Sequence, residues 1–306
     1  MIRRVAIDPA MVSTVDRLTL FGRDVRMSRG RQLQPLVATW RSVVAANARS
    51  LGDDRERLQF EERLKRFFER PGAVAASPLM PDRQWELEVS LQSDRLDVIA
   101  TDQPLLIPRR ATFEDVEAER PPWQAPTSVE AVKDPDVLAE HLGPLLRVSS
   151  RAWLVDKYFV KNAELLARFL DALAQAHTGC SPLESLTVVT DRGDTRDLPS
   201  EVARKAVETV IAHAPALRTL TTALEVTLWR PEYRGLRMHE RLLVTDVGAI
   251  RSDYGFDALP AGALTSLALL DEEAWHLNRV RYDRFHPDHR NVPRLDFIDS
   301  AHMTLG

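Results

Sequence analysis

The chain has 306 residues, of which 44% are apolar and 28% charged, with a formal net charge of −4. That length and composition support one large or two modest domains with a buried core, and the acidic balance excludes a basic field spread over the whole surface. The single cysteine, Cys180, excludes an intramolecular disulfide and suits a reducing compartment. No apolar run is long enough to cross a bilayer. The opening MIRRVAIDPAMVSTVDRL lacks the apolar centre of a signal peptide, so the expected location is the cytoplasm.

Ile2 to Asp8 reads as a short strand. In QLQPLVATWRSVVAANARSLG, Leu36, Trp40, Val43 and Val44 share a helical face, and Gly52 is a plausible stop. Asp53 to Arg70 is the clearest helix: Phe60, Leu64, Phe67 and Phe68 form one stripe, and acids come early, as the helix dipole favours. Its other face mixes acids and bases and reads as solvated rather than as a nucleic-acid surface. QWELEVSLQ and RLDVIATD both alternate, which predicts two strands of a hairpin turning near Ser93 and Asp94. The prolines and mixed charges of QPLLIPRRATFEDVEAERPPWQAPTS mark a domain boundary near residues 115 to 127. The expected division is an N-terminal α+β region over 1–125 and a second domain over 126–306.

The second domain begins with a short helix, DPDVLAEHLGPLLRVSS. The strand AWLVD follows, ending at Asp156, and then the helix NAELLARFLDALAQAH with Leu165, Leu166, Phe169 and Leu173 on one face. A second strand, ESLTVVTD, leads to a helix opened by Pro199, Ser200 and Glu201. ALEVTLWRP, HERLLVTD and GAIRSDYGFD supply further strands. Strand–helix–strand–helix–strand order predicts an α/β layer with a parallel or mixed sheet, whose ligands sit at the carboxyl ends of strands.

The stretch RGLRMHERLLVTD, Arg234 to Asp246, carries the most chemistry. Residues two apart in a strand point the same way, so His239 and Arg241 are expected to project together, with Asp246 at the strand's far end. An imidazole can attack phosphorus or pass a proton, and a planar guanidinium can hold two phosphate oxygens. An acid near the imidazole can orient it. The same residues also read as charged ends of an ordinary strand, with Glu240 paired to Arg237 or Arg241.

HERLLVTD has the spacing of the phospholipase D superfamily motif, His-x-Lys followed by four residues and Asp, with Arg241 in the lysine position. The order of His239-Glu240-Arg241, Asp246-Val247-Gly248 and SDYGFD, with VDKYFVKNAELLARFLDAL upstream, resembles the phospholipase D-like domain of MIT-domain proteins and its bacterial relatives. The resemblance covers roughly residues 140 to 262. It implies a mixed sheet flanked by helices, His239, Arg241 and Asp246 as catalytic residues, and Asp156, Tyr158 and Asp253 against the substrate. His239 would be the nucleophile, and the same histidine of a second subunit the leaving-group acid. It implies a homodimeric phosphodiesterase or nuclease that needs no metal and no cofactor, with nucleic acid or another phosphorylated ligand as its partner. Bacterial relatives that look like this sit in antiviral defence proteins, which extends the expectation to a component of a larger assembly. The departures are a single His-x-Arg set, arginine in place of lysine, and no following asparagine. They favour the alternative, a non-catalytic module that binds a phosphorylated ligand or another protein. FHPDHRN, DRGDTRD and Cys180 read as surface turns and a bystander thiol, and no phosphate-loop glycine pattern exists.

Overall fold

A computed structural model describes residues 1–70, 72, 74, 84–107, 109–193, 196–230, 232–233, 236–256, 262–293 and 296–305. The chain forms two compact units, Met1–Thr127 and Ser128–Gly306.

The first unit contains β1 (Arg3–Ile7), α1 (Val15–Asp24), β2 (Arg31–Leu33), α2 (Trp40–Asn47), α3 (Asp54–Glu69), α4 (Trp85–Gln92), β3 (Val98–Ala100), β4 (Arg110–Ala111) and α5 (Phe113–Glu117). Its four strands are ordered β2-β1-β3-β4 and every pair is parallel. Parallel neighbours require crossovers, so the unit is α/β in the strict sense and goes beyond the expected α+β arrangement. Val5, Ile7 and Val98 of the strands pack with Phe21, Trp40, Phe60 and Trp123. The helix read over Asp53 to Arg70 forms: Asp53 accepts the Arg55 N–H as its cap, and Phe60, Leu64 and Phe67 are buried at i, i+4 and i+7.

The hairpin expected around Ser93 does not form. Trp85–Gln92 is a helix, and Val98–Ala100 pairs in parallel with β1. The alternation of Trp85, Leu87, Val89 and Leu91 misled because it contains two i, i+4 pairs. The helix buries Trp85 and Val89 and leaves Leu87 and Leu91 about half exposed. Length could not arbitrate, since eight residues suit either element.

The second unit contains β5 (Ser128–Val132), α6 (Pro135–Leu146), β6 (Arg151–Val155), α7 (Ala163–Ala176), β7 (Ser185–Asp191), α8 (Pro199–His213), α9 (Leu217–Leu220) and β8 (Ala223–Trp229). Among the described residues the short strands β9 (Glu232–Tyr233) and β10 (Leu236–Arg237) pair only with each other. Then come β11 (Leu242–Thr245), β12 (Ala249–Ser252), β13 (Leu264–Leu269), α10 (Glu272–Tyr282) and β14 (Phe297–Thr304). The large sheet is ordered β14-β8-β7-β6-β11-β12-β13-β5. Its β6-β7-β8 centre is parallel and its other pairs are antiparallel. The chain is therefore an α/β protein with mixed pairing in the larger sheet, as the order of elements predicts.

Helices α6, α7 and α8 lie side by side on one face, with α8 against β8 and β14. The other face carries Val155, Val189, Trp229, Leu242 and Val244, packed with Tyr282 and Trp275 of α10. Both faces are covered where the parallel strands run, which explains their near-continuous Val and Leu.

Candidate functional site

The change from parallel to antiparallel pairing falls between β6 and β11, and Asp156 stands at the carboxyl end of β6 there. Its N–H donates to the Val189 carbonyl at 3.0 Å, extending the β6–β7 ladder by one bond. Its Oδ1 then accepts the Tyr158 N–H at 2.8 Å and turns the chain toward α7. Asp156 is 2% exposed.

Arg241 arrives from the other side. Its carbonyl accepts the Ser252 N–H at 2.9 Å, so it continues the β11–β12 ladder one residue before Leu242, which faces Val155. That register brings Arg241 beside Asp156. Its guanidinium donates from Nη1 to the Asp253 carbonyl at 3.2 Å and lies 5.5 Å from the centre of the Tyr158 ring. Gly255, at φ +82°, closes the corner. A methyl there would sit 3.1 Å from Arg241 Cδ, 3.3 Å from Arg241 Nε and 3.3 Å from Asp156 Oδ2. The Gly255 turn is itself fixed: Ser252 Oγ donates to the Gly255 carbonyl at 2.7 Å and lies 2.9 Å from Thr265 Oγ1, which accepts the Tyr254 N–H at 3.2 Å. Phe256 stacks on Phe169 of α7 with centroids 5.3 Å apart.

The structure therefore brings together Asp156, Tyr158, Arg241 and the backbone of Asp253. The carboxylate of Asp253 is turned to Arg251, with Oδ1 3.4 Å from its Nε, so this residue meets Arg241 through its carbonyl oxygen. His239 is exposed and lies before β11 begins, so strand alternation does not govern the pair His239 and Arg241. Glu240 between them lies by α10, its Oε2 3.6 Å from Arg281 Nη1. Burial, reinforced by the Glu240 carboxylate, pushes the neighbouring Tyr282 phenol up to about 12.

Asp246 is placed elsewhere. It follows the other end of β11, roughly 16 Å along from Arg241 at about 3.3 Å per residue. Its carboxylate accepts the N–H groups of Ser150, at 3.1 and 3.2 Å, and of Arg151, at 3.4 Å. It anchors the start of β6 and is too distant to orient an imidazole at position 239. The sequence spacing was right for one strand, but the two ends of a strand are different places.

Lys157, whose ammonium is 5.6 Å from the Tyr158 ring centre, joins the corner on the turn into α7. The sequence reading gave this lysine no role, although DKYFVK contained the signal of a cation after a strand-terminal acid. Of the other candidates, His289 Nδ1 lies 2.9 Å from the Val280 carbonyl, and His286 Nδ1 lies 3.9 Å from Asp288 Oδ2. Among the described residues no group of three or more His, Cys, Asp or Glu side chains converges as a metal-ligand set. Residues 194 and 195 of DRGDTRD, Arg234 and Gly235 of the histidine stretch, and Asp257 of SDYGFD lie outside the described residues. A separate cavity of about 440 Å³ opens on the α10 face, lined in part by Thr187, Glu225, Arg284 and His302. Arg284 and Glu225 pair across it at 2.6 Å.

No protein-family model matches the sequence, and no curated protein matches it significantly. Among solved structures, the chain is similar to TrmBL2, an archaeal chromatin protein described as showing a novel mode of DNA binding. The identity is 11% over 80% of this chain and 68% of that one, with a TM-score of 0.28. Similarity at that level supports neither a shared fold nor a shared ligand. Among the described residues no helix is long and apolar enough to cross a membrane.

Proposed function

We propose that the second unit is a phospholipase D-like module that binds a phosphate-bearing ligand at the Arg241 corner and does not turn it over. The observation that carries this reading is the position of Arg241, whose guanidinium lies 5.5 Å from the centre of the Tyr158 ring at the carboxyl end of β6, with the exposed His239 two residues away and Lys157 on the same turn. A planar cation over an aromatic ring, flanked by a second cation, is suited to phosphate oxygens. Two features support binding over hydrolysis. The guanidinium is already tied to the Asp253 carbonyl beside the Asp156 carboxylate, and Asp246 is not at hand to orient His239. The family resemblance extends the reading to nucleic acid or another phosphorylated partner within a larger, antiviral assembly.

A small phosphodiester, bis(p-nitrophenyl) phosphate, tests the reading in EDTA. Calorimetry is expected to show binding that weakens about tenfold in R241Q, the loss of one charge-assisted contact pair, with no release of nitrophenol. Unchanged affinity in R241Q would refute the site. Metal-independent nitrophenol release that disappears in H239A would replace the module with a phosphodiesterase. Light scattering would then have to show the homodimer needed for a second histidine.

A further inference from the structure

We infer that the cavity on the α10 face of the second unit binds a small polyhydroxylated anion, in chemistry a sugar phosphate or a sugar acid. Arg151 holds its charge and the floor of the sheet holds its hydroxyls. The inference is independent of the Arg241 corner.

Strand alternation builds the floor. Leu186 and Val188 of β7 and Leu224, Val226 and Leu228 of β8 are buried on the face that carries α6, α7 and α8, so their neighbours in sequence turn the other way. Toward the carboxyl ends of the parallel strands that second face is apolar, with Val155, Val189 and Trp229 packed with α10. Toward the amino ends it turns polar. The register sets Trp153, Thr187, Glu225 and His302 side by side across β6, β7, β8 and β14, a row about 14 Å wide at about 4.8 Å between strands. Arg151 faces Ser185 two residues before that row, and Ser300 faces Thr227 two residues after it. These residues line the cavity of about 440 Å³, a size suited to a small molecule.

The wall forms where α10 ends. Asp283 is 5% exposed and accepts the Phe285 N–H at 3.1 Å, which closes the turn after the helix. Arg284 then reaches back to Glu225 Oε1 at 2.6 Å, and its guanidinium lies 4.7 and 5.0 Å from the ring centres of Phe285 and Phe297. Glu225 and Arg284 cancel each other, and Asp283 serves the turn.

Arg151 is different. Its guanidinium lies 5.9 Å from the centre of the Trp153 ring and, among the described residues, meets no carboxylate. Nor, among the described residues, do the hydroxyls of Ser185, Thr187 and Ser300 or the ring of His302 meet a partner within the chain. Polar groups in such a cavity are satisfied by water or by a ligand. A cation next to a row of open hydroxyls matches an anion that carries hydroxyls of its own. An anion with an apolar body would displace the water from those hydroxyls and leave them unpaired. Phe285, 77% exposed at the rim, offers a ring face to the C–H side of a sugar.

Calorimetry on the full chain tests the proposal, in the R241Q background so that the corner does not contribute. The probes are glucose 6-phosphate, glucuronate, neutral methyl glucoside and benzoate, and the first two distinguish a phosphate from a carboxylate head. At least one sugar anion should bind, and more tightly than methyl glucoside or benzoate. Its affinity should fall about tenfold in R151Q, the loss of one charge-assisted contact pair. R151K should recover part of that loss, which a folding defect cannot mimic. S185A/T187V should also weaken it about tenfold, through two lost hydrogen bonds. Failure of both sugar anions to bind, or unchanged affinity in R151Q, would overturn the proposal. So would equal binding of methyl glucoside, which would remove the role of charge, or tighter binding of benzoate, which would mark a site for an apolar anion.

Discussion

Replacing Gly255 by alanine separates two costs that are usually entangled. The first is backbone strain. At φ +82° a Cβ costs about 1–2 kcal/mol, and for a unit of this size each kcal/mol lowers Tm by about 2–4 °C. The second is crowding, because the new methyl would meet Arg241 Cδ at 3.1 Å and both Arg241 Nε and Asp156 Oδ2 at 3.3 Å. Gly179 is the matched control: its φ is +84° and nothing lies within 4 Å of its Cβ position. G179A should therefore lose about 2–8 °C in a melting experiment and keep full affinity for bis(p-nitrophenyl) phosphate. G255A should lose at least as much in Tm and also about tenfold in affinity, or about 1.4 kcal/mol, as the guanidinium is pushed off Tyr158. Equal affinities in the two variants would refute the claim that Gly255 exists to let Arg241 and Asp156 approach each other.

D246A should cost about 1 kcal/mol, as the loss of a cap does, because Ser150 and Arg151 lose their acceptor. Melting should show this while phosphodiester affinity stays at the wild-type value. Asp8, 3% exposed at the carboxyl end of β1, accepts from Ala10 N, Thr101 Oγ1 and Gln103 Nε2 at 2.9, 2.9 and 3.1 Å. D8A strands these donors and should destabilise the first unit by about 2–4 kcal/mol, readable in urea titration. The Thr112 N–H and then its hydroxyl hold the Asp115 carboxyl below the usual carboxylate range. A depressed folded value contributes stability above the ordinary value near 4, lost as pH falls below it. D115N should therefore melt below wild type at pH 7, with the gap narrowing as pH falls below the ordinary carboxylate value.

The central strands and long helices were legible because burial on both faces writes continuous Val and Leu, and α3 and α7 carry stripes at helical spacing. The α4 helix was not, since Trp85, Leu87, Val89 and Leu91 satisfy both periods. The parallel pairing of the first unit was also hidden. Strand order depends on contacts between residues far apart, such as Val5 with Val98, and no local pattern records it. At the site, Asp156 was visible as the end of a strand and Arg241 from its spacing to His239, while Tyr158 came only from the family resemblance. Asp246 was expected at the far end of the strand and lies there; its catalytic role came from the family resemblance, and its carboxylate instead accepts the Ser150 and Arg151 N–H groups.

The ordering of the eight-stranded sheet has a consequence for how the protein is made. β5 is the first strand of its unit to leave the ribosome, yet its neighbour is β13, while β8 must wait for β14. A nascent chain stopped before residue 264 would hold β5 and one side of both β8 and β12 without mates. Such exposed strand edges recruit one another between molecules. Completion of this unit should therefore come late and all at once during synthesis, and shortened versions ending within it should collect in inclusion bodies.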